Sequence, residues 1–487
     1  MSSYRLLLFL FCLASLPLHA QDQLGLRLGN YAGISGVTLN PASMVGSPLR
    51  WDLRLGGGGL FVDNNYAYFR NTNLQSAIGQ IGNINVAPAL SPEPVPSDGL
   101  AMDFYTSDKR HVGYGNAVIM GPAFGLNLGD QSFGVYTKLR AAAGARRVPS
   151  SLGYYNLTQI ADQEQLTLTP FQAAGMVWGE IGFNYARKVN DDLAFGGTLK
   201  YLQGYEGVMI RNHRSTQLTA EPGDVVTVDN FDYTFAFATD YLQQSNASLG
   251  QLMQSQGAGL GIDLGATYQL NDQLKVGASL MDIGFVRFGL NTQFNRFEAR
   301  DTFQITAGEQ AEVEGLLGAV EFLNSKVIAR NHSSRQSENF AMWLPAGLSL
   351  QADYAVTDNF FVNAVVIRRV PTPGVGVKRA NLMAVTPRFE SQWFGVSAPL
   401  VWYDDRDLRM GLALRMGPLT VGSDNLSGFV RQDEFSGGDV YAALRVTPFN
   451  VDINRRGGFG TGRARGYKPP RRRGGRGEPK CYKPKRR

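Results

Sequence analysis

Few residues in this chain have the types and spacing that chemistry needs. Beyond the first 20 residues there are three histidines, His111, His213 and His332, each beside an Arg or Asn and far from the other two. Zinc sites draw on grouped His, Cys and carboxylate ligands, and no such spacing occurs here. Cys481 is the one cysteine left beyond residue 20, so neither a thiolate cluster nor an internal disulfide can form. There is no G-x-S-x-G elbow and no P-loop. The glycines of "GLGIDLG", residues 259–265, are wrongly spaced for a dinucleotide fingerprint, and inside a strand they ease curvature instead. Asp404, Asp405 and Asp407 read as solvated turn residues. The pattern points away from catalysis, and we expect no enzymatic activity, no metal and no cofactor.

Charges that do follow a pattern are Glu180, Lys200, Asp263, Asp353, Arg409 and Arg415. Each lies at the polar parity of a run that alternates apolar and polar residues. Successive strand side chains point to opposite faces, so such a run is a two-sided strand. In "LRWDLRL", Leu49, Trp51, Leu53 and Leu55 share one face, and Arg50, Asp52 and Arg54 the other. The phrase "YARKVNDDLAFGG", from Tyr185, returns as "YQLNDQLKVGAS" from Tyr268 and "YAVTDNFFVNAV" from Tyr354. Each copy is a strand, a tight polar turn and a second strand.

Three features favour a membrane barrel over a soluble sandwich. "GEIGFNYARKV" and "LAFGGTLKYLQGY" reach the roughly 9 to 11 residues that cross the hydrocarbon as tilted strands. Connections alternate between tight turns and long polar segments, about 211–256 and 289–338, as periplasmic turns and outer loops do. Tyr185, Tyr268 and Tyr354 all sit just before a tight turn on the apolar face, where a periplasmic aromatic girdle belongs. The expected fold is all-β, a closed antiparallel transmembrane barrel over residues 49–450, with outer-membrane lipid as its first partner. The six patterned charges then face the lumen, as a salt-bridged lining or as a selective permeation path.

The ends of the chain are different. Residues 1–20 have one basic residue, Arg5, an apolar run from Leu6 to Leu18 and the small Ala20, the layout of a secretory signal cleaved after about Ala20. Residues 21–48, including "NYAGISGVTLNPASM", read as a lead-in to the barrel; Pro41 holds Asn40 extended, and Asn40 can cap the turn that follows. From Arg455 to Arg487 there are 14 Lys and Arg against the single Glu478, so this +13 tail hides an acidic body inside the whole-chain +6. We read 451–487, with Arg471, Arg472, Arg473, Cys481, Arg486 and Arg487, as a disordered basic periplasmic tail. Its Arg-Gly-Gly composition would suit RNA in a cytosolic protein; behind a secretory signal the expected partners are anionic envelope components such as peptidoglycan, and no nucleic acid.

The Asn-Pro-Ala of residues 40–42 followed by long strands resembles the outer-membrane barrels of the fatty-acid transporter group FadL. "GAGLGIDLGATYQL", "LMDIGFVRF", "WLPAGLSLQADY" and "GPLTVGSDNL" are similar to the PorV-like branch of that group in Bacteroidota. The resemblance implies about 14 strands around an N-terminal hatch, with Asn40, Pro41, Ala42, Ser43 and Met44 near a hydrophobic ligand. By the PorV-like comparison the protein would be a scaffold or accessory of an envelope assembly, such as type IX secretion or gliding machinery, with envelope protein partners. By the FadL comparison it would carry hydrophobic small molecules across the outer membrane. The tail is a departure from both.

Overall fold

The computed structural model describes residues 22–446 apart from 74, 77–83, 87–99, 106–110, 154–163, 239–253, 291, 300, 307–308, 310–320, 327–332, 375 and 431–433. The leader and the tail, with Arg471, Arg472, Arg473, Cys481, Arg486 and Arg487, lie outside the described residues, as does His332.

Fourteen antiparallel strands form the wall. They are β1 (Trp51–Asn64), β2 (His111–Asn127), β3 (Gln131–Val148), β4 (Gln172–Lys188), β5 (Leu193–Asn212), β6 (Gly257–Gln269) and β7 (Leu274–Phe288). There follow β8 (Gly347–Ala355, preceded by Phe340–Trp343 on the outer side), β9 (Phe360–Arg369) and β10 (Leu382–Glu390). The last are β11 (Phe394–Ser397 and Leu400–Tyr403), β12 (Asp407–Met410 and Leu412–Met416), β13 (Leu419–Ser423) and β14 (Gly437–Val446). Each pairs with its sequence neighbour, and β14 returns to β1 from Leu53↔Val446 to Asp63↔Gly437, so the sheet has no free edge. Closure is what lets every backbone group of the wall be satisfied without water. Strands β11 and β12 are interrupted at one level, by Pro399, which has no N–H to give, and by Gly411, whose added Cβ would meet Pro399 Cγ at 2.8 Å.

Side-chain alternation is inverted relative to a soluble sandwich. Leu260 is 61% exposed and Leu408 77%, while Glu180, Lys200, Asp263 and Asp353 are all buried. Exposing an apolar side chain of this size to water forfeits about 1.5–3 kcal/mol, and more than thirty such positions make sense only against lipid. Leu199 lies mid-strand, paired with Ile262. Leu199→Arg is expected to cost about 2–4 kcal/mol of folding stability in lipid vesicles, read as a lowered urea midpoint. An unchanged midpoint would mean that this face is wet.

Tight turns and both ends of the wall, Trp51 and Val446, gather on one rim. The other rim is tall and built. Segments 211–256 and 289–338 were expected as polar loops, yet they carry six strands. Phe231–Ala238 continues the wall by pairing with the outer end of β5 and with Thr292–Ala299, which pairs with Ser333–Ser337. Thr216–Glu221, Val225–Asp229 and Phe303–Thr306 join Gln165–Leu168 in a separate sheet over Val226, Val228, Phe297, Phe303 and Leu323. These strands are short and half polar, which is why they read as loop.

Candidate functional site

The segment before β1 fills the lumen. Its Gly, Pro and Asn content supports only single turns: a helix α1 (Leu24–Arg27) and 3-10 turns at Gly33–Thr38 and Ser43–Gly46. Leu24, Ile34, Val37, Leu39 and Met44 are all buried against the wall. The plug reaches from the connection after β9 down to the tight-turn rim. At the outer side, Asp22 pairs with Arg379 of the connection after β9, and Leu24 N donates to Asp424 Oδ2 at 3.0 Å, just past β13. Gly25 N donates to Tyr441 Oη at 2.9 Å. Lower down, at the level of the tight turns, Ile34 N donates to Asp52 Oδ2 at 2.9 Å and Asn30 N to Glu390 Oε2 at 3.0 Å.

Toward the tight-turn rim the Asn-Pro-Ala turn is the anchor. Asn40 Oδ1 accepts from Ala42 N at 3.0 Å, which shapes the turn, and Asn40 Nδ2 donates to Ala266 O at 3.1 Å and Gln351 Oε1 at 3.3 Å. Pro41 O accepts from Asn184 Nδ2 at 3.1 Å, and Leu39 O from Ser279 Oγ at 2.6 Å. Met44 O and Ser47 O both accept from Asn127 Nδ2 at 3.1 Å. The wall makes room with glycine: a Cβ on Gly265 would sit 2.2 Å from Asn40 Oδ1, and one on Gly196 2.5 Å from the Pro41 carbonyl. Ser43 is half-buried in this turn, and its Oγ has no hydrogen-bond partner among the described residues.

Around the plug the inward charges form compact ion lattices. Lys200 Nζ lies 2.7 Å from both Asp263 and Asp282 and 3.8 Å from Glu180. Arg140 reaches Asp282 at 2.9 Å and Glu180 at 3.3 Å, and Tyr136 Oη donates to Glu180 at 2.9 Å. Across the lumen Arg388 grips Asp353 with both terminal nitrogens, at 2.5 and 2.8 Å, and Glu390 through Nε at 3.0 Å. Arg409 sits higher, paired with Asp63 at the closure seam, and Arg415 lies low, its guanidinium 4.6 Å from the Tyr31 ring of the plug. Tyr185, Tyr268 and Tyr354 lie on the outer surface near the tight-turn rim, each 43% exposed.

Arg140, Asp282 and Arg388 were missed by the sequence reading. Arg140 and Arg388 share the polar parity of their strands and could have been found that way. Asp282 could not: a bulge between Ile262 and Leu264 breaks the alternation, and Asp282 takes φ 57°, so two consecutive residues, Met281 and Asp282, turn inward.

Above the lattices the lumen becomes apolar. Met176, Trp178, Leu202, Met209, Phe288, Met342 and Leu344 are packed together with Val377, which comes from the connection after β9 folded inward. Gaps of about 20 Å³, which is room for one water, lie beside the plug at Tyr31 and at Asn40. A larger cleft of about 760 Å³ opens at the outer rim, between Asp63, Tyr105, Arg406, Arg409 and Ser427.

Wall and plug together define a closed membrane-spanning β-barrel with a folded N-terminal hatch. A family described as of unknown function, DUF5723, matches residues 41–424, and the chain belongs to it. No curated protein matches. Among solved structures the chain is similar to the Pseudomonas putida toluene transporter TodX, at 11% identity and TM-score 0.40, over 86% of this chain and 94% of that one. The Ralstonia pickettii toluene transporter TbuX gives 12%, TM-score 0.40, 86% and 94%. A Pseudomonas aeruginosa FadL homologue gives 10%, TM-score 0.24, 87% and 96%. Values this low bear on neither substrate nor mechanism.

Proposed function

We propose that this protein is a gated outer-membrane passage for a small, mainly apolar solute. The plug is its gate, and Asn40 to Met44 are its latch. What supports the reading is the lining above the ion lattices: a water-filled pore has no use for Trp178, Met176, Met209, Phe288 and Met342 turned inward, whereas an apolar solute does. The latch is polar, and polar contacts exchange for water when a segment is displaced at a net cost of only about 0.5–1.5 kcal/mol each. Uptake of a fluorescent apolar dye into vesicles holding the full chain tests this. Uptake is expected to rise with Asn40→Ala and to fall with Trp178→Asp; equal rates in all three would overturn it.

A second reading is a scaffold or accessory of an envelope assembly, type IX secretion or gliding machinery among them, with the basic tail held by an anionic partner such as peptidoglycan. The tightly filled lumen and the built outer sheets favour it. Gentle-detergent purification returning the chain alone, time after time, would count against that role.

A further inference from the structure

Residues outside the plug and its lattices form a second feature at the outer mouth. Arg146, Gln172 and Arg211 stand directly opposite one another on β3, β4 and β5. Their face is the lumen face: two residues below, Gly144, Ala174 and Met209 are likewise opposed, and Ala174 and Met209 belong to the buried interior cluster. The connection after β9 folds across toward them. Gln172 Nε2 donates to Gly376 O at 3.5 Å, and a Cβ on Gly144 would lie 3.0 Å from Lys378 O. Lys378 Nζ donates to Thr372 Oγ1 at 2.6 Å, and Arg369 Nη1 to Arg379 O at 3.4 Å. Four cations, Arg146, Arg211, Arg369 and Lys378, therefore lie on the strand ends and the connection that face one another here.

Among the described residues no acid pairs with any of the four, although Asp405, held by Arg368, feels the charge of Arg369. Among the described residues, neither Arg146, Arg211, Arg369 nor Lys378 forms a salt bridge, and the buried Arg146 Nε has no hydrogen-bond partner. Asp404, the acid on the adjoining side, is taken up by Tyr114 Oη at 3.1 Å, Asn381 N at 3.3 Å and Arg406 Nε at 3.6 Å. Burial, then the charges of Arg369, Arg146 and Arg211, hold the Lys378 ammonium below its ordinary range. Proteins that gather like charges without a counter-charge spend stability on the arrangement, and a ligand of opposite charge recovers it. Arg211 is exposed, so the place opens to the outside.

We propose that Arg146, Arg211, Arg369 and Lys378 form a binding site for a multiply charged oxyanion of the phosphate-ester class. A single carboxylate would leave most of the four charges unmatched, whereas a phosphate or diphosphate group presents several oxygens to planar guanidinium forks and an ammonium. The assignment stands apart from the gate, because it needs no movement of the plug.

Calorimetric titration of the full chain in zwitterionic detergent with inorganic pyrophosphate, at constant ionic strength, tests it. Saturable binding is expected, weakened at least about tenfold in the double variant Arg146→Gln, Lys378→Gln, and unchanged in Arg187→Gln, at the tight-turn end of β4 on the opposite rim. Weak attraction of pyrophosphate to the basic tail is common to all three proteins and cancels in the comparison. Dodecyl phosphate as a second probe separates the sources: tighter binding than pyrophosphate assigns a lipid headgroup, and equal or weaker binding a free phosphorylated solute. Equal affinity in wild type and double variant, or no saturable heat with either probe, would overturn the site.

Discussion

Deleting residues 22–47 is expected to turn a silent barrel into a conducting one. In planar bilayers the wild type should give no stepwise current, and the deletion variant stable open steps. The reason is geometric. Barrels of eight strands are filled by their own side chains, while those of 16 to 18 leave an aqueous channel. A wall of fourteen strands falls nearer the second case, so most of its interior must be occupied by something other than the wall. Here that is the plug, with gaps of about 20 Å³ beside it. A full-chain variant keeps the test sharp if the deletion folds poorly. Cysteines replacing Asn40 and Gln351, whose side chains meet in the latch, in a Cys481→Ser background and joined by a short reducible dithiol crosslinker, should lock the latch to the wall. The locked protein is expected to stay closed to dye and current, and to recover wild-type behaviour on reduction. A deletion variant that inserts yet stays closed would show that the wall itself collapses inward, and the gate would then lie elsewhere.

The latch has a second consequence. Asn40 makes its hydrogen bonds where water is scarce, so Asn40→Ala leaves Ala266 O and Gln351 Oε1 short of a donor and costs about 1–3 kcal/mol of plug attachment. Loss of attachment on that scale raises the open fraction without unfolding the wall, which is the behaviour a gate needs. The outer end of the plug adds a different hold, since α1 is tied to Asp424 and Tyr441 and Asp22 to Arg379. Movement of the inward-folded connection after β9 and movement of the plug are therefore mechanically linked.

How far the sequence discloses this depends on whether a feature repeats with period two. The wall does: Ile181, Phe183 and Tyr185 alternate with Glu180, Gly182 and Asn184, and all of the former are exposed while Glu180 and Asn184 are buried. Parity alone puts Glu180, Lys200, Asp263 and Asp353 inside. It says nothing of who meets whom, because Arg388 and Asp353 come from β10 and β8, and Arg140 and Asp282 from β3 and β7. Those pairings follow from closure, which is a property of the whole sheet. The outer strands hide for a different reason. "FDYTFAFA" alternates well enough, but its neighbours are brief, and it gains its partners from the end of β5 and from residues sixty positions later. The plug is the least legible part. Single turns carry no periodicity, so residues 22–48 can be placed only by what the glycines of the wall leave room for.

Replacing Lys200 by Met is expected to destabilise the folded barrel by about 3–5 kcal/mol, the usual cost of stranding buried charge. Lys200 Nζ is the group shared by Asp263, Asp282 and Glu180, and its side chain is only 3% exposed. Without it those three carboxylates keep Arg140, 2.9 Å from Asp282, and Lys138, at 4.0 Å from Glu180. Bulk water does not reach them, since the side chains of Glu180 and Asp263 are fully buried and that of Asp282 is 9% exposed. The measurement is the urea midpoint in lipid vesicles, followed through Trp178, whose ring lies 4.7 Å from the Arg140 guanidinium. Two companions fix the interpretation. Arg368→Met breaks an exposed pair with Asp405 and should move the midpoint by no more than about 1 kcal/mol. Lys200→Met with Asp263→Asn removes a charge of each sign and should recover much of the loss, because a missing ion pair costs less than half of one. A single variant as stable as the wild type would mean that the lattice is hydrated, and that the lumen conducts water around the plug even when the latch is closed.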